Sequence, residues 1–255
     1  MSDNESTQKP LSSKSMMKVF YLSLAAAMSL GLSARADVVT DWNTLLLNAI
    51  RTNKTSPPVA SRQMAILHTS IYDAVNGIKP RYEAYRVRPH VLPAASAEAA
   101  AAAAAHKVML ALYPQNAAAY DAAFQATLKR VRNPVGLRLG VAWGEQVAGE
   151  IMMWRSTDGA AVPIGYTPGT RTGDWQPTPP AFLPALLPQW GTVVPFGIPS
   201  VRLFQPPGPP ALTSAQWADD FNAVKRIGAI NSSERTADQT IVAKFWANGA
   251  GTETP

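Results

Sequence analysis

The chain has 255 residues, of which 47% are hydrophobic, and a formal net charge of +6. This length and composition suffice for one sizeable core and exclude a wholly disordered chain. Cysteine is absent, which excludes disulfides, thiolate metal sites and cysteine nucleophiles. The sequence contains no block of five like charges, so we expect no nucleic-acid partner.

The first 36 residues have the pattern of an export signal. Lys14 and Lys18 precede the apolar run 19–32, and Ala34-Arg35-Ala36 matches the A-x-A cleavage pattern. The polar leader is long, so Met16 or Met17 is an alternative start. The apolar run is shorter than the roughly 20 residues that span a bilayer, which favours cleavage over a retained anchor. We expect a mature chain that begins at Asp37, is periplasmic or secreted, and makes no membrane contact.

Between Asp37 and Arg155, the apolar spacing predicts five helices, and no alternating pattern long enough to predict a strand occurs. The first helix carries one apolar stripe from Val38 to Ile50. The second should start with Ser56 as cap and Pro57 at its first position, and should stop at Gly77. Its predicted buried face consists of Met64, Leu67, Ile71, Ala74, Val75 and Ile78.

The third predicted helix begins after Ser96, contains the run Ala99–Ala105 and ends near Tyr113-Pro114. Alanine has the highest helix propensity and little bulk, so this helix should let its neighbours approach closely. The fourth is predicted from Tyr120, Phe124, Leu128 and Val131, and is broken by Asn133-Pro134. The fifth, over residues 135–155, is predicted from Leu139, Trp143, Val147, Ile151 and Trp154.

Residues 158–212 form a region too long and too rich in proline to be an ordinary connection; its core, Tyr166–Pro210, is called the strap below. Its aromatic residues distinguish it from a disordered linker: Trp175, Phe182, Trp190, Phe196 and Phe204. We expect the strap to pack through these side chains over a helical body. Two interpretations stay open, namely a wall of a functional site and a structural wrap without chemistry.

Two further helices are predicted in residues 213–255. Thr213 and Gln216 form a capping box for a helix that bears Trp217, Phe221, Val224 and Ile227 and stops at Gly228. Asn231-Ser-Ser-Glu234 should open the last helix, with Ile241 and Phe245 on one side. No segment after Gly251 is predicted to pack back, so we expect the chain to be truncated at Pro255.

One histidine lies in a helix that also carries a carboxylate. His68 is at the edge of the buried face of the second helix, whereas Asp73 falls on roughly the opposite side. The two side chains therefore cannot act as a pair from this helix. We interpret His68 as a packed histidine with a local hydrogen bond in preference to a catalytic one.

Three segments, 63–78, 167–200 and 209–255, together resemble a known family over essentially the whole mature chain. They resemble the N-terminal helical half of bacterial vanadium-dependent haloperoxidase-related proteins, members of the type 2 phosphatidic acid phosphatase superfamily. The resemblance implies an all-α fold, here a helical bundle with a long irregular strap and an incomplete domain. It also implies a four-helix core that binds an oxyanion, which is vanadate in the haloperoxidases and substrate phosphate in the phosphatases.

The family's anion site depends on three motifs, and this chain lacks a convincing match to them. They are a lysine or arginine separated by six residues from Arg-Pro, then Ser-Gly-His, then an arginine followed by a histidine. Arg81 is separated by six residues from Arg88-Pro89, but the intervening residues look like a loop and we interpret the match as coincidence. None of the three histidines (His68, His90 and His106) lies in Ser-Gly-His. We therefore predict no catalytic, cofactor-binding or metal-binding residue in this chain, and vanadate only in the full-length family.

Two hypotheses about function follow. In the first, the chain is the scaffold of an exported haloperoxidase or acid phosphatase that acts on a small anion or small molecule, with catalysis encoded downstream. In the second, it is a non-catalytic helical module that binds a partner. Expected partners are a missing C-terminal half or a second copy of the chain. In either case, we expect the 255-residue chain alone to be inactive on halides and phosphate esters.

Overall fold

The computed structural model describes residues 37–89 and 94–247, and these fold into helices and irregular segments without a β-strand. The expected export signal, His90 and the residues after Ala247, including Gly249 and Gly251, lie outside the described ranges. Seven α-helices are present in the described part: α1 (Val38–Thr52), α2 (Pro57–Ile78), α3 (Ala97–Leu112), α4 (Ala117–Leu128), α5 (Pro134–Ser156), α6 (Ala215–Gly228) and α7 (Ala237–Trp246). The predicted all-α class is thus confirmed. None of these helices is long and apolar enough to cross a bilayer.

Helix α3 is the centre of the bundle. It packs against α1, α2, α4 and α5. All seven residues of Ala99–Ala105 are completely buried, on every side of the helix. Such all-round burial requires an apolar helix without a solvent-facing stripe, which an alanine run provides.

The contact between α3 and α5 depends on small residues from both helices. A Cβ atom on Gly144 would lie 2.9 Å from the carbonyl carbon of Ala100, and one on Gly140 would lie 3.0 Å from the Cβ of Ala99. These glycines therefore bring the two backbones into direct contact. The prediction that the alanine helix allows close approach is confirmed, and the glycines of α5 supply the other half of that contact.

The expected stop at Gly77 is wrong, because α2 continues through Gly77 to Ile78. A Cβ on Gly77 would lie 2.6 Å from Cζ2 of Trp143, so the glycine makes room for the indole ring of α5. The indole Nε1 donates a 3.0 Å hydrogen bond to the carbonyl of Ala74. Gly77 is thus a packing residue within the helix and does not terminate it.

The predicted start of α2 with Pro57 first is confirmed, although the Ser56 side chain makes no capping hydrogen bond. The predicted Ser96 cap of α3 is confirmed, whereas the Asn133 cap of α5 was not predicted and the starts of the later helices are shifted. Ser96 accepts from the amide of Ala99, and Asn133 accepts from two amides of the first turn of α5. The cap of α6 is Ser214 instead of Thr213. The last helix begins at Ala237, behind a capping box of Thr236 and Gln239, and not near Asn231. Several adjacent polar residues can serve as caps in these segments, so the sequence alone does not select one.

Helices α6 and α7 contain no buried residue. The apolar side chains that should form their inner faces are largely exposed: Phe221 (53%), Val224 (71%), Ile241 (67%), Phe245 (46%) and Trp246 (77%). Ile230, in the connection between them, is 97% exposed. The predicted apolar stripes exist, but within the described residues they have no counterpart to pack against.

Candidate functional site

The strap is attached to the bundle near Phe196. The ring of Phe196 packs edge-on against Trp154 of α5, with 5.7 Å between ring centroids. The guanidinium carbon of Arg155 lies 3.9 Å from the centre of the same ring. The hydroxyl of Tyr85 donates to the Phe196 carbonyl, and Arg155 Nη2 donates to the Val194 carbonyl at 2.7 Å. This part of the strap is therefore held by both stacking and hydrogen bonds.

A buried ion cluster lies beneath this attachment. Asp158 Oδ2 is 2.7 Å from Nε of Arg62 and 2.5 Å from Nη2 of Arg155. Arg62 also donates to the carbonyl of Arg155 at 2.8 Å, in the last turn of α5. The amide of Val194 donates to the carbonyl of Asp158 at 2.9 Å. The cluster thus joins α2, the end of α5 and the strap at one place.

The environment of Asp158 makes its ionised form the stable one. Burial alone would raise the pKa of this carboxyl, but the Arg62 hydrogen bond, the Ala160 amide and the charges of Arg62 and Arg155 outweigh burial and lower it. Because the folded-state pKa is depressed, its contribution to stability is complete above the unfolded-state pKa of about 3.9. That contribution is lost as the pH falls through the folded-state pKa.

We expect Asp158→Asn to lower the free energy of unfolding at pH 7 by about 1 to 3 kcal/mol, because an uncharged amide leaves the buried Arg155 and the part-buried Arg62 without their counter-ion. The difference from the wild type should shrink as the pH is lowered from 5 to 2. Urea unfolding followed by circular dichroism at several pH values measures it. Asp219→Asn on the exposed surface of α6 is the matched control and should differ little from the wild type at every pH. A difference for Asp158→Asn that is constant with pH would contradict the assignment.

The prediction that the strap packs through its aromatic residues is confirmed only for part of its length. Phe196 packs against the core, and Trp190 is half-buried. Trp175 remains 43% exposed and contacts Tyr166 of the strap itself, and Phe182 and Phe204 are more than 60% exposed. In the first and last parts of the strap, the aromatic rings therefore stay largely exposed.

The loop that follows α2 is fastened to that helix by three polar side chains. Asp73 is completely buried and accepts hydrogen bonds of 2.7 to 2.8 Å from the amides of Tyr85, Arg86 and Val87. Asn76 accepts from the amides of Arg81 and Tyr82 and donates to the carbonyl of Tyr82. The hydroxyl of Tyr72 donates to the carbonyl of Glu83 at 2.9 Å. Residues 81–87 are thus fixed in one conformation against α2.

This fixed loop borders a cleft between the start of α1 and the end of α2. The cleft has a volume of about 470 Å³. Its walls are mainly apolar, and polar groups lie toward the loop: Val39, His68, Ile71, Tyr72, Val75, Asn76, Lys79, Arg81 and Tyr82. Lys79 and Arg81 are exposed, and within the described residues neither side chain has an ionic or hydrogen-bonding partner. The cleft therefore combines an apolar interior with two unneutralised cations.

The two described histidines have structural partners. His68 is half-buried, its Nε2 lies 3.0 Å from Oδ1 of Asn43 in α1, and burial lowers its pKa. His106 stacks on Phe124 at 4.5 Å, and its Nε2 is 2.7 Å from Oδ1 of Asp121. The predicted packing of His68 is observed, but its hydrogen bond is not local, because it links α2 to α1. Within the described ranges, no three His, Asp or Glu side chains are grouped as metal ligands.

Sequence analysis did not identify Asp73 and Asn76 as organising residues. The available signal was the presence of two polar residues, three apart, near the end of a predicted helix, and Asp73 is completely buried although it lies outside the predicted buried face. Their partners are backbone amides 5 to 14 residues further along the chain. Backbone groups are present at every position, so the sequence does not mark which of them a side chain will bind.

Comparison with known proteins gives a match among solved structures. No protein-family model matches the sequence, and no curated protein matches it. A solved structure described as the first bacterial vanadium-dependent iodoperoxidase matches with a TM-score of 0.67 and 23% sequence identity. The match covers 82% of this chain and 55% of that one. The chain thus shares the fold of that structure and spans about half of its length.

Proposed function

We propose that this chain is the scaffold portion of an exported, vanadium-dependent haloperoxidase-like enzyme, whose anion-binding residues lie outside the described part. The observation that carries the proposal is the fold shared with the iodoperoxidase structure over 82% of this chain and only 55% of that one. The order of tryptophans, prolines and glycines in the strap supports the same assignment. In this role, the strap borders the anion pocket of the complete enzyme.

The described residues do not themselves fit vanadate. An oxyanion of that charge needs several preorganised cations and hydrogen-bond donors, and the loss of a single donor costs about 100- to 1,000-fold in rate. His68 and His106 belong to different helices and already have partners. The amides of Arg81 and Tyr82, which could have faced an anion, donate to Asn76. Vanadate, when bound in the complete enzyme, would be held by other residues.

The exposed stripes of α6 and α7 give this scaffold a surface for the rest of the enzyme. Many large apolar side chains exposed together are uncommon on a monomer's surface, and such surface is typical of contacts with proteins, membranes or ligands. Phe221 and Phe245 lie on the two stripes and are about half exposed. We propose that these helices pack against the catalytic portion.

A chimera tests the proposal directly. In the iodoperoxidase, the structurally equivalent segment is replaced by residues 38–247 of this chain, and iodide oxidation is measured with and without vanadate. We expect vanadate-dependent activity in the chimera and none above a no-protein control for this chain alone. A chromogenic phosphate ester, assayed in parallel, tests the acid phosphatase alternative.

Matched variants of the chimera locate the contact. Phe221→Asp combined with Phe245→Asp should abolish the activity, because the two carboxylates would be buried without partners. Ala119→Asp, on the exposed side of α4, should leave it unchanged. Halide oxidation by this chain alone, or a folded chimera without vanadate-dependent activity, would contradict the proposal.

A further inference from the structure

We propose that the cleft between the start of α1 and the end of α2 binds a single-chain amphipathic anion, an alkyl chain that ends in one carboxylate. The inference is independent of the scaffold role, because none of the residues that carry it belongs to the strap, α6 or α7. Its volume of about 470 Å³ lies within the range of about 300 to 1,000 Å³ typical of small-molecule sites.

The interior of the cleft fits the alkyl chain. Val39 of α1 lines it together with Ile71 and Val75 of α2, and Tyr72 adds an aromatic wall. Ile71 is 3% exposed, and Val39 and Val75 are half-buried, so these walls belong to the packed body of the bundle. An alkyl chain in this space would remove apolar surface from water on both sides.

The mouth of the cleft fits a negatively charged head group. Lys79 and Arg81 both line it, and within the described residues no carboxylate neutralises either of them. Asn76 is 5% exposed and fixes the turn that carries them through three hydrogen bonds. The two cations are thus presented on a preorganised turn, which lowers the cost of binding.

The same geometry disfavours a compact polyoxyanion such as phosphate or vanadate. The backbone amides at this turn are used by Asn76, and His68 is used by Asn43. Two surface cations can hold one carboxylate, but they cannot supply the several donors that a tetrahedral oxyanion requires. An apolar body with one anionic end is the ligand class that matches both parts of the cleft.

Calorimetric titration of the purified protein with octanoate, decanoate and decanol tests the proposal. We expect saturable one-to-one binding of decanoate, and each methylene should tighten the dissociation constant about fourfold. Decanol should bind at least threefold more weakly than decanoate at low salt, and this advantage of decanoate should shrink as salt is added. Binding restricted to anionic lipid vesicles, not displaced by decanoate, would overturn the proposal in favour of a membrane surface.

Variants assign the binding to this cleft. Lys79→Glu combined with Arg81→Glu should weaken decanoate binding about tenfold and affect decanol much less. The control variant, Lys129→Glu combined with Arg132→Glu, changes the net charge by the same amount at exposed positions outside the cleft. It should change the dissociation constant of decanoate less than twofold. Val39→Trp fills the cleft and should abolish binding of both ligands, with retained folding checked by circular dichroism. Unchanged decanoate binding in the Lys79/Arg81 variant, or equal loss in the Lys129/Arg132 variant, would overturn the proposal.

Discussion

Replacing Asp73 by alanine is expected to lower the free energy of unfolding by about 3 to 5 kcal/mol. The Asp73 carboxylate is completely buried and accepts from three consecutive backbone amides, those of Tyr85, Arg86 and Val87. Alanine removes all three acceptor contacts at once. The amide of Val87 is itself buried, so water cannot replace the lost partner without opening the loop.

Urea unfolding monitored by far-ultraviolet circular dichroism measures this change. Glu145→Ala is the matched control, because Glu145 is an exposed carboxylate in the interior of α5; its effect should stay within about 0.5 kcal/mol. A loss in Asp73→Ala no larger than that of the control would show that the loop does not depend on this carboxylate.

Replacing Gly144 by alanine should cost about 3 kcal/mol, although alanine favours a helix by about 1 kcal/mol over glycine. The added Cβ would lie 2.9 Å from the carbonyl carbon of Ala100, so α3 and α5 would have to separate. The buried alanines of α3 have no side-chain atoms beyond Cβ that could move aside to relieve this clash. The strain would therefore spread along the whole contact between the two helices.

Gly149→Ala, in the same helix, provides the matched control. Its Cβ would meet only the end of the Lys107 side chain, 3.2 Å from Nζ, and that flexible chain can move aside. This substitution should leave stability unchanged or raise it by up to about 1 kcal/mol. Opposite signs for the two glycine-to-alanine substitutions are the expected result. Equal effects would mean that helix propensity, and not the approach of α3, controls both positions.

The helical elements could be predicted because their signals are local. Apolar spacing, the Ser96 cap, the Asn133-Pro134 break and the alanine run each lie within a few residues of what they determine. Gly77 was misassigned because glycine commonly ends helices, whereas here it makes room for an indole ring 66 residues later. A local signal is thus overruled where a distant side chain needs the space.

The cleft and the strap attachment could not be predicted, because both depend on long-range contacts. Arg62 and Asp158 are 96 residues apart in the chain, and Tyr85 and Phe196 are 111 apart. Arg81 was dismissed as part of a chance motif match, and that motif remains without support. Its position beside Lys79 at the cleft depends on how Asn76 folds the turn back. Lys79 and Arg81 are near neighbours in the sequence, but only the folded chain brings them together with Val39 of α1.

The alanine run of α3 also determines how the core can and cannot rearrange. Alanine loses no rotamer entropy on burial, whereas leucine or isoleucine loses about 0.5 to 1 kcal/mol per residue. The centre of this bundle therefore becomes ordered without that cost, and it has no alternative side-chain conformers to exchange. Any slow motion at Ala99–Ala105 must occur as a displacement of whole helices along their backbones. Rearrangement by change of rotamer is thus confined to the larger side chains that surround this segment, such as Leu46, Met109 and Ile151.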